Sequence, residues 1–262
     1  MQTRNLQLKT IISICLILLL GQVSLQALAG IFRMTEQQEI RVGAQAAAQV
    51  EKKNRILSNP YIEKIGQQLV AKSGRPNIQY RFRVVDSKEI NAFALPGGFI
   101  YINRGLIQAA DTENELVGVM AHEIGHVVAK HSVNQMERSS KAQLGLTLAQ
   151  LALSRSRGGA TIFNGAQMLT QGVFLKFSRD QERQADRLGA ENMHSAGWNA
   201  KGLVTFFEKL AKKGQGNTAF FSSHPSPSER VRNVSDLTQS WGGDGVVNTN
   251  DFNMVKAKLA EM

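Results

Sequence analysis

Cysteine is almost absent from this chain, which has one cysteine, Cys15, among its 262 residues. Cys15 lies inside an N-terminal apolar run, in a segment that we expect to be removed from the mature protein. Without that segment the chain can form no disulfide, and it offers no thiolate metal ligand and no thiol nucleophile. A metal site would have to use histidines and carboxylates.

Long apolar runs are also missing. The strongest one, Ile11–Leu20, has ten residues, which is too short to cross a bilayer by itself. Arg4 and Lys9 precede this run, and Ala27 and Ala29 follow it in an A-x-A pattern. A positive start, a short apolar run and small residues before a cleavage site are typical of an export signal.

This N-terminal pattern predicts a signal peptide over residues 1–29 and one exported domain over residues 30–262. The predicted location of the domain is the periplasm. The alternative is that the apolar segment is retained and anchors the domain to the membrane, facing the periplasm.

Concentrated basic charge is missing too, although the formal net charge is +10. Lys and Arg are spread along the chain and often lie beside acids, as in EKKNR and SRDQERQADR. Proteins that bind nucleic acid usually gather basic residues on one arm or face, with aromatic residues between them. We therefore expect no nucleic-acid partner.

Apolar periodicity predicts a mostly α-helical (α+β) fold with one small β-sheet. The sheet is expected from an alternating strand over residues 80–84 and from a hairpin whose arms flank Pro96-Gly97-Gly98. The predicted helices cover residues 35–57, 60–73, 111–131, 178–194, 201–212 and 229–237, and a short helix follows near the C-terminus.

Residues 142–153 and 160–177 carry two further apolar helical patterns, neither of which is long enough to span a membrane. Packing in the core is the plain interpretation of both. The alternative is a mobile lid or a peripheral membrane contact through residues 142–177.

The stretch HEIGH, from His122 to His126, has the H-E-x-x-H pattern of zinc peptidases. Histidines four residues apart lie on one face of a helix, one turn apart, and can bind a single Zn²⁺. Glu123 lies about 100° round the helix from His122, where it can activate a water without binding the metal. The alternative is a pair of helical histidines beside an incidental glutamate.

A third ligand is not available in the same stretch. The extended pattern H-E-x-x-H-x-x-G-x-x-H needs glycine and histidine where this chain has Ala129 and Ser132. Ala129 lacks the conformational freedom for the left-handed turn that would bring a later histidine back to the metal. We interpret His131 as a residue at the C-terminal end of the same helix, where the helix dipole favours it.

Glu182 and Asp186 are the best source of a third ligand, because they are four residues apart on a predicted helix. One carboxylate could bind zinc while the other accepts the second N–H of a ligand histidine. The alternative for both is surface ion pairing with the interleaved Arg179, Arg183 and Arg187. His224, in the proline-stiffened stretch SSHPSPSER, has the plain interpretation of an ordinary loop histidine.

Four stretches together resemble the zinc metallopeptidases that include HtpX, the CAAX prenyl peptidase and the mitochondrial Oma-type peptidase. They are NAFALPGGFIYINRGL, ELVGVMAHEIGHVVAKH, RDQERQAD and SHPSPSER, and the resemblance covers roughly Ile40 to Asn233. It implies a zincin-like (gluzincin) domain with a small sheet or hairpin beside the active-site helix, as in an exported bacterial member of this family.

The resemblance also implies the chemistry of the site. It gives one Zn²⁺ per chain, with His122, His126 and Glu182 as the ligands. Glu123 would be the general base, and Asp186 would orient a ligand histidine. The implied function is zinc-dependent hydrolysis of peptide bonds in misfolded or unassembled envelope proteins, as part of periplasmic quality control.

Residues further from the metal also receive roles from the resemblance. Asn91, Ala92 and Phe93 would contribute the edge strand on which an extended substrate pairs. His224 and Arg230 match a loop that approaches the zinc in some relatives, where His224 could hold the enzyme latent. The alternative function is therefore a periplasmic chaperone or assembly factor with a latent zinc protease site.

Overall fold

The computed structural model of the protein describes residues 33–153, 176–212, 219–225 and 227–261. The predicted signal peptide lies outside these ranges, as do residues 160–175 of the second apolar pattern. The domain boundary after residue 29 therefore stays a prediction.

Helices dominate the described residues, and the predicted mostly α-helical fold with one small sheet is confirmed. The helices are α1 (Glu36–Lys53), α2 (Pro60–Val70), α3 (Arg104–Ala109), α4 (Glu113–Val128), α5 (His131–Leu153), α6 (Arg179–Ser195), α7 (Lys201–Lys212), α8 (Ala219–Ser223), α9 (Pro227–Gln239) and α10 (Asn250–Ala260). The strands are β1 (Ile56–Leu57), β2 (Arg81–Val85), β3 (Ala92–Leu95) and β4 (Phe99–Asn103).

The four strands form one sheet in the order β1–β2–β4–β3. β1 and β3 are therefore the two edge strands of this sheet. β2 and β4 are parallel, whereas β1 and β3 run antiparallel to their neighbours. The predicted hairpin is confirmed, since a 3₁₀ turn over Pro96–Gly98 joins β3 to β4 and Phe93 pairs with Tyr101. Gly97 and Gly98 have φ angles of 73° and 87°, which residues with a side chain rarely adopt.

Helix α1 holds this hairpin turn through the buried carboxylate of Glu39. The N–H of Gly97 donates to Glu39 Oε1 at 3.1 Å. Arg75 donates to both Glu39 oxygens, at 2.8 and 2.9 Å. A buried carboxylate is stable only with partners of this kind, so these bonds fix the position of the turn and of the β3 edge that leads into it.

Helix α4 lies at the centre of the core, and its residues from Glu113 to Val127 are all buried. Helices that are buried on every side are apolar around most of their circumference, and the run LVGVMA before the first histidine has this character. Helix α4 packs most extensively against α6 and then against α7, and it also contacts β3.

Glycines allow the close approach between α4 and its neighbours. A Cβ atom on Gly125 would lie 2.6 Å from the carbonyl oxygen of Ala185, and one on Gly189 would lie 2.9 Å from the α4 backbone. On the α7 side, a Cβ atom on Gly118 would lie 2.9 Å from the backbone of Leu203. Ordinary contacts begin at 3.4 Å, so the helices reach these separations only without side chains at these positions.

The N-terminal end of α4 is held by the segment before α10. The backbone N–H of Glu113 donates to Asn248 Oδ1 at 2.7 Å. The Glu113 carboxylate accepts the N–H of Thr249 and the hydroxyl of Tyr61, both at 2.5 Å. The first N–H groups of a helix have no partner inside it, and here the later segment supplies one.

The C-terminal end of α4 differs from the prediction. The helix ends at Val128, and Lys130, with a φ angle of 54°, takes the left-handed conformation that breaks it. His131 is therefore the first residue of α5, and its interpretation as the C-terminal end of α4 is wrong. The left-handed turn that Ala129 cannot make occurs one residue later, despite a cost of about 1–2 kcal/mol for a residue with a Cβ.

Two compact units can be separated in the chain. The larger comprises residues 36–136 and 164–262 and contains the sheet and every predicted site residue. In the smaller unit, the N–H of Met34 donates to the carboxylate of Glu137 at 2.7 Å. Within the described ranges, no helix combines the length and the apolar character needed to cross a membrane.

Candidate metal centre

His122 and His126 project from successive turns of α4 toward one point. Both side chains are buried, and their Nε2 atoms lie 3.0 Å apart. The four-residue spacing on a helix explains this geometry, because it places the two rings on one face.

Two groups from distant parts of the chain complete a cluster around this point. Glu182, in the first turn of α6, has carboxylate oxygens 3.5 Å from His122 Nε2 and 3.6 Å from His126 Nε2. His224, just after α8, has its Nδ1 3.2 Å from His122 Nε2 and 3.1 Å from Glu182 Oε1. One atom from each of the four residues lies within 4.8 Å of all the others.

These four atoms suit a single metal ion. Zinc binds histidine nitrogen and carboxylate oxygen at 2.0–2.2 Å, so two ligands of a tetrahedral site lie roughly 3.3 Å apart. The separations of 3.0–3.6 Å in the cluster fall around that value. Polar atoms buried face to face are costly unless something between them satisfies them. The residues therefore fit a metal ion, and zinc accepts this mixture of nitrogen and oxygen donors.

Glu123 is buried beside the cluster, and within the described part of the chain neither of its carboxylate oxygens forms a hydrogen bond. Its Oε1 lies 3.4 Å from His224 Nε2, which gives an ion pair only if that ring is protonated. A buried carboxylate without hydrogen bonds is costly. Such a group suits a role toward a water or a substrate that binds during the reaction.

Asp186 and Arg230 form a buried pair behind His122. His122 Nδ1 lies 2.8 Å from Asp186 Oδ1, and Arg230 donates to both Asp186 oxygens at 2.6 and 2.8 Å. Arg230 also lies 3.0 Å from Glu182 Oε2 and 4.1 Å over the ring of Phe207. His122 Nδ1 therefore lies between an acceptor, the Asp186 carboxylate at 2.8 Å, and a donor, Arg230 Nη2 at 3.1 Å. The shorter contact, to the carboxylate, assigns the hydrogen to Nδ1 of His122 and leaves its Nε2 lone pair facing the cluster.

Two of the three arginines interleaved with the α6 carboxylates pair elsewhere. Arg183 lies 2.7 Å from Glu229, and Arg187 lies 2.9 Å from Glu191. The two α6 carboxylates are themselves buried, so the alternative of surface ion pairing is wrong for them. Their cationic partner is Arg230, which comes from α9.

Burial and neighbouring charges set the protonation of the cluster. Burial lowers the pKa of His126 well below its ordinary value, and the nearby imidazoles lower it further, so the ring is neutral. Burial would raise the pKa of Glu182 and of Asp186. His224 and Arg230 outweigh burial at Glu182, and Arg230 does so at Asp186, so both carboxyl pKa values are lowered. Burial would lower the pKa of His224, but the Glu182 carboxylate opposes it and the pKa is raised.

His131, which we interpreted as a helix-end residue, lies against the cluster instead. Its side chain is buried, and its Nδ1 is 2.9 Å from Nδ1 of His126. Its Nε2 lies 3.1 Å from the side-chain oxygen of Gln184 on α6. Spacing could not reveal this contact, because it depends on the left-handed conformation of Lys130. The only signal in the sequence was the third histidine itself.

The short helix α8 carries His224 into the core. The backbone N–H of His224 donates to the carbonyl of Phe220 at 2.8 Å. The Phe220 ring stacks on the imidazole, with ring centroids 4.6 Å apart. The interpretation of an ordinary loop histidine is therefore wrong, since this side chain is buried in the cluster.

The predicted edge residues lie at the start of β3. Ala92 and Phe93 belong to the strand and Asn91 directly precedes it. The carbonyl of Asn91 accepts the N–H of Asn103 at 2.9 Å, which extends the pairing with β4 by one residue. Among the described strands, β3 pairs only with β4, so no other described strand lies beside it.

The sequence model of Peptidase family M48 matches residues 57–238, about two-thirds of the chain. The chain belongs to peptidase family M48. Every residue of the cluster, from His122 to Arg230, lies inside the M48 match.

Relatives of this M48 chain carry protease names. It is 27% identical to the beta-barrel assembly-enhancing protease of Escherichia coli (strain K12) over 239 residues, which cover 86% of this chain and 49% of the relative. It is 31% identical to the metalloprotease YcaL of the same organism over 208 residues, with 76% and 79% covered. It is also 31% identical to the mitochondrial metalloendopeptidase OMA1 of Schizosaccharomyces pombe over 179 residues, with 67% and 52% covered.

These matches confirm the resemblance to the family that includes the Oma-type peptidases. The M48 chain spans about half the length of the beta-barrel assembly-enhancing protease. Helix α10 and the segment that holds the N-terminal end of α4 lie beyond the M48 match.

Proposed function

We propose that this M48 chain is a zinc-dependent metalloendopeptidase that hydrolyses peptide bonds in proteins. The observation that carries the proposal is the buried cluster of His122, His126, Glu182 and His224, with Glu123 beside it. The cluster offers ligand atoms to one ion, and Glu123 is a buried carboxylate whose oxygens form no hydrogen bond within the described residues.

In this proposal His122, His126 and Glu182 hold one Zn²⁺ per chain. When bound, zinc would lower the pKa of a water toward neutrality and polarise a peptide carbonyl. Glu123 accepts the proton of the attacking water and passes it to the leaving amine. Asp186 keeps His122 oriented by accepting its Nδ1–H.

The substrate in this proposal is an extended segment of protein chain. No other described strand pairs with β3, and such a segment would add to the sheet there as a further strand. Asn91, Ala92 and Phe93 lie at that edge, and β3 contacts α4. Binding through the substrate backbone suits a peptidase that accepts many sequences, because every peptide has the same backbone groups.

We place the substrates among misfolded or unassembled proteins of the cell envelope, in periplasmic quality control. The predicted export signal over residues 1–29 supports the location. The name of the relative in Escherichia coli, a beta-barrel assembly-enhancing protease, supports the substrate class. Retention of the signal as an anchor would change the location and leave the chemistry unchanged, and N-terminal sequencing of the mature protein distinguishes the two. A peripheral membrane contact through residues 142–177 stays a prediction.

A second candidate function follows from His224. Its Nδ1 belongs to the same group of ligand atoms, so His224 can occupy the position that a catalytic water needs. The chain would then be a periplasmic chaperone or assembly factor whose protease site is latent. The same position of His224 is also compatible with an active enzyme that cleaves only after the loop carrying His224 moves away from the metal site.

Zinc content and cleavage of an unfolded protein test the proposal in the full mature chain. The wild type should bind one zinc and cleave, whereas Glu123→Gln should bind zinc and lose at least about 10²-fold in rate, because the general base is removed. His224→Ala should cleave faster than the wild type if His224 holds the site latent. Substantial cleavage by Glu123→Gln would contradict the assignment. Equal suppression of aggregation by the wild type and Glu123→Gln, without cleavage, would favour the chaperone.

A further inference from the structure

His131 touches the proposed metal centre and Gln184 touches His131, and neither residue has a part in the function proposed above. Together with His126 they form a row of three side chains. Nδ1 of His126 lies 2.9 Å from Nδ1 of His131, and Nε2 of His131 lies 3.1 Å from the Gln184 oxygen. Within the described part of the chain, Nδ1 of His126 has no other hydrogen-bond partner.

Gln184, at the outer end of this row, determines which nitrogen atoms in the row donate a hydrogen bond and which accept one. The Gln184 oxygen can only accept, so the hydrogen of His131 lies on Nε2. The His131 side chain is buried, which disfavours a charged ring, and a neutral imidazole has only one N–H. Nδ1 of His131 therefore carries a lone pair and accepts the Nδ1–H of His126. Nε2 of His126 is left with its lone pair, which faces the cluster.

The two α4 histidines thus reach the same tautomer through different partners. His122 donates its Nδ1–H to the carboxylate of Asp186, which is 2.8 Å away. No carboxylate lies at Nδ1 of His126, where the partner is the neutral ring of His131. Without an acceptor at this position, His126 could place its hydrogen on Nε2 and point it at the cluster.

We propose that His131 is a positioning residue that holds His126 in the Nδ1–H form, and that Gln184 sets the direction of the row. This inference rests on the proposed function, because that form matters when Nε2 of His126 binds a metal. Contacts beyond the ligands orient metal-binding histidines in this way, and their loss typically costs about 10–100-fold in metal affinity.

The row has one alternative direction, in which Gln184 presents its amide nitrogen. His131 would then donate from Nδ1, and the hydrogen of His126 would lie on Nε2, 3.0 Å from His122 Nε2. A metal could not bind at that nitrogen. The structure places the amide oxygen, and not the nitrogen, against His131, which corresponds to the first direction.

The first experiment reads the tautomers directly in the metal-free full chain, by long-range ¹H–¹⁵N NMR of protein labelled with ¹⁵N-histidine. The wild type should show His126 with hydrogen on Nδ1 and His131 with hydrogen on Nε2. In Gln184→Met the side chain keeps its size and loses the acceptor, so the signals of both rings should shift toward a mixture of forms. Hydrogen on Nε2 of His126 in the wild type would overturn the proposal.

The second experiment measures zinc affinity by competition with a chelator. His131→Phe should weaken zinc binding about 10–100-fold, whereas His131→Asn, whose side-chain oxygen can accept the hydrogen of His126, should recover most of that loss. Gln184 is exposed, so Gln184→Met tests the row without disturbing the core and should also weaken binding. His194→Phe is the matched control, because His194 is exposed and stacks on Trp241, far along α6 from the row.

Affinities of His131→Phe and Gln184→Met equal to that of His194→Phe would overturn the proposal. So would an equal loss in His131→Phe and His131→Asn with no loss in Gln184→Met, since packing alone would explain it. If the wild-type chain binds no zinc, the proposed function fails, and the NMR experiment still decides the tautomer of His126 because it uses metal-free protein.

Discussion

Replacing Gly125 by alanine should lower the zinc affinity of the chain strongly while lowering its stability only moderately. The added Cβ would lie 2.6 Å from the carbonyl oxygen of Ala185, which is 0.8 Å closer than an ordinary contact of 3.4 Å. Both positions are helix backbone, so the strain cannot be relieved by rotating a side chain. Helix α6 must move away from α4 by a comparable distance, and Glu182 and Asp186 move with it.

The expected loss of stability is moderate, and the expected loss of zinc affinity is large. Overpacking of this kind costs about 1–3 kcal/mol, and alanine recovers up to about 1 kcal/mol over glycine in a helix. The net loss of stability should therefore lie between about 0 and 3 kcal/mol. Metal sites tolerate errors of about 0.2 Å in ligand distance, so a displacement several times larger should remove most of the contribution of Glu182. We expect zinc affinity and cleavage rate each to fall on the order of 10²-fold.

Gly118→Ala is the matched control, because it places the same methyl group on the same helix, 2.9 Å from Leu203 on the α7 side. Urea unfolding of the metal-free variants should show comparable losses of stability. Competition with a chelator should show a large loss of zinc affinity for Gly125→Ala and a small one for Gly118→Ala. Equal affinities in the two variants would refute the argument that the distance between α4 and α6 sets the site.

Three further predictions concern contacts around the same helix. Arg230→Met should destabilise the metal-free chain by about 3–5 kcal/mol in urea, because it leaves the buried carboxylates of Asp186 and Glu182 without their cation; a loss below about 1 kcal/mol would show that the pair is not buried in solution. Tyr61→Phe should cost about 1–3 kcal/mol by removing a hydrogen bond to the buried Glu113 carboxylate, while zinc affinity stays that of the wild type. Removal of zinc with a chelator should lower the midpoint of thermal unfolding, by an amount that grows with zinc concentration over Kd, and no shift at millimolar zinc would argue against a metal site in the folded chain.

Local spacing made much of the candidate site predictable. A separation of four residues on a helix places His122 and His126 on one face, and the same spacing places Glu182 and Asp186 on another helix. The hairpin was also predictable, because Pro96-Gly97-Gly98 has turn chemistry between two apolar arms. In each case the residues of one short stretch are sufficient to determine the local geometry.

Contacts that depend on packing between distant stretches were not predictable in this way. The approach of α6 to α4 requires Gly125 and Gly189 to meet the facing backbone, and nothing in the sequence pairs those two positions. His131 reaches His126 only because Lys130 takes a left-handed conformation, which is unfavourable for a residue with a Cβ. Propensity therefore favoured a continuous helix, and the break was missed.

Arg230 also contributes to the net charge of the site. With the imidazoles neutral, as in a metal-bound centre, Glu123, Glu182 and Asp186 carry three negative charges when ionised and the guanidinium carries one positive charge, which leaves a formal charge of −2. A divalent cation makes that total zero. A neutral centre exerts little long-range attraction or repulsion of its own. Any preference for charged substrate segments must then arise outside the centre, from the rest of a chain whose formal net charge is +10.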